Sequence, residues 1–136
     1  MIDTATLIQE YSKNPVNNFE MNDSTISYQE WNPICWDGIV VFLKIDKDSN
    51  IEKFSFTWDT SMVTTAAVSL LAEEIEWVNI DEVLNWDLDF MKDLWLSVSP
   101  RRYRSVVLWL LATRNAIHEY KWDWILDDFE DLWVDS

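Results

Sequence analysis

A chain of 136 residues with ten basic and twenty-five acidic side chains carries a formal charge of −15, which speaks against nucleic acid and anionic membrane surfaces as partners. The length suits one domain with one core, and a single cysteine excludes an intramolecular disulfide and agrees with a reducing compartment. No basic-then-apolar start precedes a small-residue cleavage site, and the longest apolar run, Val106 to Ala112, is too short to span a bilayer, so a cytoplasmic protein is expected.

Residues 3–13 place Leu7, Ile8 and Tyr11 at helical spacing and end before Asn14-Pro15, which predicts a short helix stopped by the proline. Ser24 to Glu30 alternates, with Ile26 and Tyr28 on one face, as an edge strand does. Trp31-Asn-Pro-Ile-Cys-Trp-Asp-Gly38 follows, holding the only cysteine, Cys35, and the only glycine. In an extended segment residues two apart point to the same side, so Cys35 and Asp37 could face one metal ion, a donor pair that iron or zinc accepts. The plainer reading is a lone cysteine buried as a small hydrophobe. Ile39 to Ile45 is apolar on both faces until Lys44, as a central strand would be. Asp46 to Asn50 is a turn cluster, and Ile51 to Thr57 puts Phe54 and Phe56 on one face. These segments predict a three-stranded antiparallel meander.

From Ser61 the period becomes helical. Val63, Ala66, Ala67, Leu70, Leu71 and Ile75 form one stripe, with Thr60 or Ser61 as N-cap. Asn79-Ile-Asp-Glu82 reads as a capping box opening a short helix through Leu84, and Asp89 to Trp95 is a third helical piece. Ser99-Pro100 opens the longest helix, whose buried stripe is Tyr103, Val106, Val107, Leu110 and Ile117. The expected class is therefore α+β, a three-stranded antiparallel sheet packed against a C-terminal group of helices. Residues 1–121 form the domain; 122–136 form an acidic tail, expected to be helical because Trp122, Ile125, Leu126, Phe129, Leu132 and Trp133 share a helical face.

Few other residues suggest chemistry. His118 sits near the end of the long helix, where a cation suits the helix dipole, and reads as a structural histidine. Glu73 and Glu74 read as a solvated face. Arg101, Arg102 and Arg104 form the one basic cluster; cations at a helix start oppose its dipole, which favours docking or an ion pair there. There is no Ser/His/Asp arrangement, phosphate loop or nucleotide fingerprint, and an enzyme is not expected.

Asn32-Pro33-Ile34-Cys35-x-Asp37, followed by the strand from Ile39, resembles the first ligand loop of the IscU/NifU-type iron–sulfur scaffold family, the N-terminal NifU-like domain, whose loop reads Gly-Asn-Pro-x-Cys-Gly-Asp. Asn14-Pro15-Val16-Asn17 is similar to a segment after that family's first helix. Met62 to Glu73 resembles the helix that follows its second ligand cysteine, and Arg102 to Ile117 resembles the helix carrying the third. The resemblance covers about residues 14–120 and implies a SufE/IscU-like fold, transient binding of iron or an iron–sulfur cluster at Cys35 and Asp37, with zinc as another metal those donors accept, and a cysteine desulfurase and acceptor apo-proteins as partners. It also implies a departure: Ser61 and Arg104 stand where the family has its second and third cysteines. Thiolates hold such clusters, a serine hydroxyl is a poor iron ligand near neutral pH, and a guanidinium offers no lone pair. Two readings stay open: a scaffold, completed by bridging to a second subunit of a homodimer, or a degenerate relative that binds no metal and acts as an interaction module. Arg104 is expected to pair with Asp37, or with Asp59 as competitor.

One glycine against ten tryptophans is abnormal composition, since glycine averages about 7%. Trp31, Trp36, Trp58, Trp77 and Trp95 fall where the resemblance implies glycine. Composition thus raises the reading of UGA codons as glycine, beside that of a Trp-rich chain; under it, Lys121-x-Asp-x becomes a flexible break rather than the start of a helical tail. The resembled loop, with glycine at position 36, implies a tight turn with glycine-like torsions there.

Overall fold

The computed structural model describes residues 4–32, 37–57, 62–94 and 99–132. Strands β1 (Ile26–Asn32), β2 (Asp37–Ile45) and β3 (Ile51–Thr57) form one antiparallel sheet in the order β1-β2-β3. Tyr28 lies opposite Val41, and Val41 opposite Phe56, so the three share a face. Ile39, Val41 and Leu43 on β2 are fully buried, while Val40, Phe42 and Lys44 between them are half-buried. The central strand is therefore one-sided rather than buried on both faces, as suits a sheet covered by helices on one side only.

Helix α1 (Thr4–Lys13) packs on α2 (Met62–Ile75), and α2 packs on β3 and on α5 (Tyr103–Lys121). Leu7 supplies the buried contact of α1, and the Tyr11 hydroxyl donates to both oxygens of Glu73 at 2.8 and 2.9 Å. Burial first, and the Glu73 carboxylate second, push the Tyr11 phenol up to about 12. The predicted stripe of α2, from Val63 to Ile75, is buried throughout, but so are Thr64, Val68, Ser69 and Ala72. The helix is enclosed by α1, α5 and the sheet, so its burial exceeds its amphipathic face.

The turn 46–50 is closed by Asp46, whose Oδ1 accepts from the N–H groups of Asp48 and Asn50 at 2.9 Å each. Asn79 caps α3 (Ile80–Val83) by accepting from the Asp81 N–H at 2.9 Å, one residue earlier than a capping box would, and its amide reaches Asp48 O and Asn50 Oδ1. Asn79→Ala is expected to cost about 1 kcal/mol, read as a lower urea midpoint with unchanged slope; an unchanged midpoint would show the cap to be idle. Helix α4 (Leu88–Asp93) is capped by Asp87. The long helix begins later than Ser99-Pro100 suggests: Pro100–Arg102 form a 3-10 turn, Ser99 makes no side-chain cap bond, and α5 proper starts at Tyr103.

Helix α5 runs along β1 and β2 with α2 beside it. At its centre Trp109 is fully buried, its ring 4.8 Å from that of Phe56 in an edge-on contact. Its indole N–H finds no acceptor among the described residues. Among the described residues no helix is long and apolar enough to cross a membrane.

The tail departs from expectation. Trp122 and Trp124 have left-handed torsions, φ 56° and 65°, which end α5 and stop the chain from continuing as a helix. Residues 123–128 have no regular structure, and Phe129–Leu132 form a single 3-10 turn. The apolar residues bury only in part: Leu132 is fully buried, whereas Ile125 and Leu126 are exposed.

Candidate functional site

Asn32 pairs with Asp37 at the end of the β1–β2 ladder, and Thr57 ends β3 opposite Val40, near the same end of the sheet. Cys35 and Trp36 in the link 33–36, and Asp59 and Ser61 in the link 58–61, lie outside the described residues. Asp37 is the first residue of β2; its side chain is not described.

Helix α5 runs antiparallel to β1. Near the end of β1, Glu30 accepts from the Asn115 amide at 3.2 Å, and Tyr28, further back, faces His118 and Glu119 across a shared cavity. Moving forward along β1 thus means moving back along α5. The first turn of α5, with Arg104, therefore lies toward the end of the sheet marked by Asn32, Asp37 and Thr57. The expected ion pair of Arg104 involves Asp37 and Asp59 side chains that are not described. What is described is a different contact: the Arg104 guanidinium carbon sits 4.4 Å from the centre of the Phe129 ring, a cation–π arrangement that joins α5 to the tail. Arg101 and Arg102 are exposed.

A polar cluster that the sequence reading did not find lies further along α5. The Asp127 carboxylate accepts a hydrogen bond from Arg114 Nε at 2.9 Å on Oδ2, and the same oxygen lies 3.0 Å from His118 Nε2. His118 Nδ1 lies 2.7 Å from Asp123 Oδ2. Each ring nitrogen of the imidazole thus has a carboxylate as its hydrogen-bond partner. Asn115 clamps the same stretch, accepting from the Asp127 N–H at 2.7 Å and donating to its carbonyl at 3.1 Å. Arg114 also donates to Trp86 O. His118 is thus a structural histidine rather than a ligand, but buried instead of at the surface or half-buried, and its partners come from the tail, five and nine residues on, beyond any helical spacing. The signal available in the sequence was only the acidity of the tail.

The cluster perturbs its carboxylates in opposite senses. The hydrogen bond from His118 holds Asp123 below the usual carboxylate range. Burial pushes the Glu30 carboxyl up, against the opposing hydrogen bond from Asn115. For Glu30 the folded state binds the proton more tightly than the unfolded chain does. The stability it contributes is present below the ordinary carboxylate range and lost as pH rises through its raised pKa. Glu30→Gln keeps an acceptor for Asn115 and removes that dependence. The urea midpoint near neutral pH is expected to equal or exceed that of the parent, and a lower midpoint there would contradict the assignment.

A cavity of about 360 Å³ opens between Tyr28, His118, Glu119, Trp122 and Trp124. It lies toward the C-terminal end of α5, away from the edge that carries the Cys-x-Asp link. Among the described residues no group of three His, Cys, Asp or Glu side chains could hold a metal ion.

No protein-family model and no curated protein matches this chain by sequence. Solved structures do match by shape. A nitrogen-fixing NifU-like protein (N-terminal) from Brucella abortus is 15% identical with a TM-score of 0.74, covering 86% of this chain and 93% of its own. A protein described as an iron–sulfur cluster assembly scaffold for the SUF system, from Fervidobacterium islandicum, is 16% identical with a TM-score of 0.70, covering 82% and 93%. A hypothetical protein matches at 20% identity and a TM-score of 0.70, over 84% and 96%. The fold of this chain is that of these proteins: α+β, with the three-stranded antiparallel sheet and its helices.

Proposed function

We propose that this chain serves iron–sulfur cluster assembly as a scaffold-type protein, holding iron or a nascent cluster as cargo through Cys35 and Asp37. The observation that carries the reading is the fold, shared over most of the chain with a cluster-assembly scaffold of the SUF system, with a Cys-x-Asp sequence at the β1–β2 link. In this reading residues 1–121 are the scaffold domain and the acidic tail is an appendage braced on α5. The protein is a carrier rather than an enzyme. Sulfur comes from a cysteine desulfurase and the product passes to acceptor apo-proteins, in the cytoplasm.

The donor set limits what one subunit can do. A thiolate and a carboxylate supply two donors, while Ser61 and Arg104 supply none suited to a cluster. The three-cysteine arrangement of the resembled family does not fit this chain, and no assembly step is derived through it. Iron or zinc at Cys35 and Asp37 needs further donors, from sulfide, water or the same pair in a second subunit.

The second reading, a relative that binds no metal and works as an interaction module of the same pathway, is favoured by one contact. The guanidinium of Arg104 is engaged with Phe129, which fixes a positive charge on the helix turn where the family has a thiolate. Anaerobic reconstitution with iron and sulfide separates the two. The scaffold reading expects a visible chromophore at a stoichiometric fraction of protein, lost in Cys35→Ala. A colourless parent protein would leave the interaction module as the function.

A further inference from the structure

Among the described residues five that are not glycine have positive φ: Asn17, Ser49, Trp77, Trp122 and Trp124. Asparagine and serine are small and polar, and Asn in particular visits the left-handed region readily. Tryptophan is among the least suited residues there, because its Cβ carries a bulky ring against the following carbonyl. Yet three of these five positions are tryptophan, with φ of 71°, 56° and 65°. All three are exposed, at 67%, 76% and 89%; the rings of 122 and 124 meet each other edge-on, with centroids 6.2 Å apart, and no burial in the core offsets the torsions.

The local geometry at these positions is that of glycine. Trp122 follows the last residue of α5; its N–H bonds Glu119 O at 3.2 Å, and the Asp123 N–H bonds His118 O at 3.4 Å. That pattern is a Schellman motif, whose left-handed residue is usually glycine. Trp77 ends the turn after α2 and brings its N–H within 2.6 Å of Ile51 O, a close approach of helix exit to strand. Trp86 and Trp109 behave differently. Trp86 is 8% exposed and stacked on Phe90 with centroids 4.0 Å apart, and Trp109 fills the core against Phe56.

We infer that the tryptophans written at 77, 122 and 124 are glycines in the protein as its own cell makes it, encoded by UGA read as glycine, while Trp86 and Trp109 are tryptophans encoded by UGG. One genetic code then accounts for both the missing glycines and the strained torsions. The inference concerns the covalent chain and stands whether or not the chain binds iron. It also removes a candidate site: with glycine at 122 and 124, the cavity beside Tyr28 and His118 loses two of its walls, and Asp123 sits between two glycine hinges.

Two measurements test it. The codons come first: UGA at 77, 122 and 124 with UGG at 86 and 109 is expected. Peptide mass spectrometry on the protein isolated from its native cells then reads the residues, each recoded position lacking the mass difference between an indole side chain and a hydrogen. Glycine in the peptides spanning 77, 122 and 124 and tryptophan at 86 and 109 supports the inference. UGG at any of the three positions, or UGA with tryptophan in the peptide, overturns it.

Discussion

Replacing Asp127 with alanine is expected to cost about 3–5 kcal/mol, the range for breaking a buried ion pair from one side. Asp127, Arg114 and His118 have side chains 8%, 12% and 7% exposed, so removing the shared carboxylate leaves the Arg114 guanidinium without its counter-charge and the His118 Nε2 without its partner, both largely shielded from water. The Asn115 clamp acts on the Asp127 backbone and survives the substitution, which makes the result a measure of the charge cluster rather than of the whole tail. Asp127→Asn keeps an acceptor oxygen and is expected to fall between parent and alanine. Asp123 is a useful contrast: its side chain is 24% exposed and water can replace it, so Asp123→Asn should cost less than either. The stability that Asp123 contributes, present above the ordinary carboxylate range, is lost as pH falls through its lowered pKa, and Asp123→Asn should lose that acid sensitivity. Chemical denaturation settles the order. An Asp127→Ala cost below about 1 kcal/mol, the level of an exposed pair, would mean that the cluster is a solvated decoration.

That cluster also marks the limit of what could be read from the residues in order. The meander was legible because Ile26 and Tyr28, and the phenylalanines at 54 and 56, carry a period of two, and the apolar run from Ile39 between them has strand length and ends at a turn cluster, while one face of the sheet is buried. Helix α2 was legible from its stripe. The tail was misread because its apolar residues do fall at helical spacing, but spacing is silent about the torsions at 122 and 124 that turn the chain back along α5. The glycine reading of those two positions, the other one open from composition, breaks the helix there. The pairing of His118 with Asp123 and Asp127 was hidden for a related reason. Residues five and nine positions on meet it only after the chain has reversed, and no periodicity encodes a reversal. The candidate ligands rest on spacing and resemblance together: a cysteine and an aspartate two apart are too common to specify a metal, and Asn-Pro-x-Cys-x-Asp before a hydrophobic strand adds only the likeness to the scaffold loop. Cys35, Trp36, Asp59 and Ser61, and with them the expected torsions of position 36, lie outside the described residues.

Adding thiols at the two positions where the resembled family has cysteines should have the largest functional effect. Ser61→Cys together with Arg104→Cys gives one chain three thiolates and the carboxylate of Asp37, a donor set that holds an iron–sulfur cluster without a second subunit. The choice of positions rests on the resemblance; among the described residues, Asn32, Asp37 and Thr57 mark one end of the sheet, and the first turn of α5 lies toward that end. The cost is local. Removing the Arg104 guanidinium gives up its contact with Phe129, about 0.5–2 kcal/mol for a cation–π pair, which a domain of ordinary stability tolerates. Arg104→Ala is the control, since it gives up the same contact and adds no thiol. On reconstitution with iron and sulfide the double variant is expected to hold a chromophore at a higher stoichiometry than the parent, and Arg104→Ala is not. Because Trp36 stands beside Cys35 where the resembled loop has glycine, the comparison should be repeated with Trp36→Gly in both backgrounds. The ring has only steric bulk to contribute, so its removal should raise metal uptake wherever the donors suffice and change nothing where they do not. A double variant that folds, carries three titratable thiols and stays colourless with either residue at 36 would mean that the three positions do not converge, and the assignment of Ser61 and Arg104 to the ligand places would fall with it.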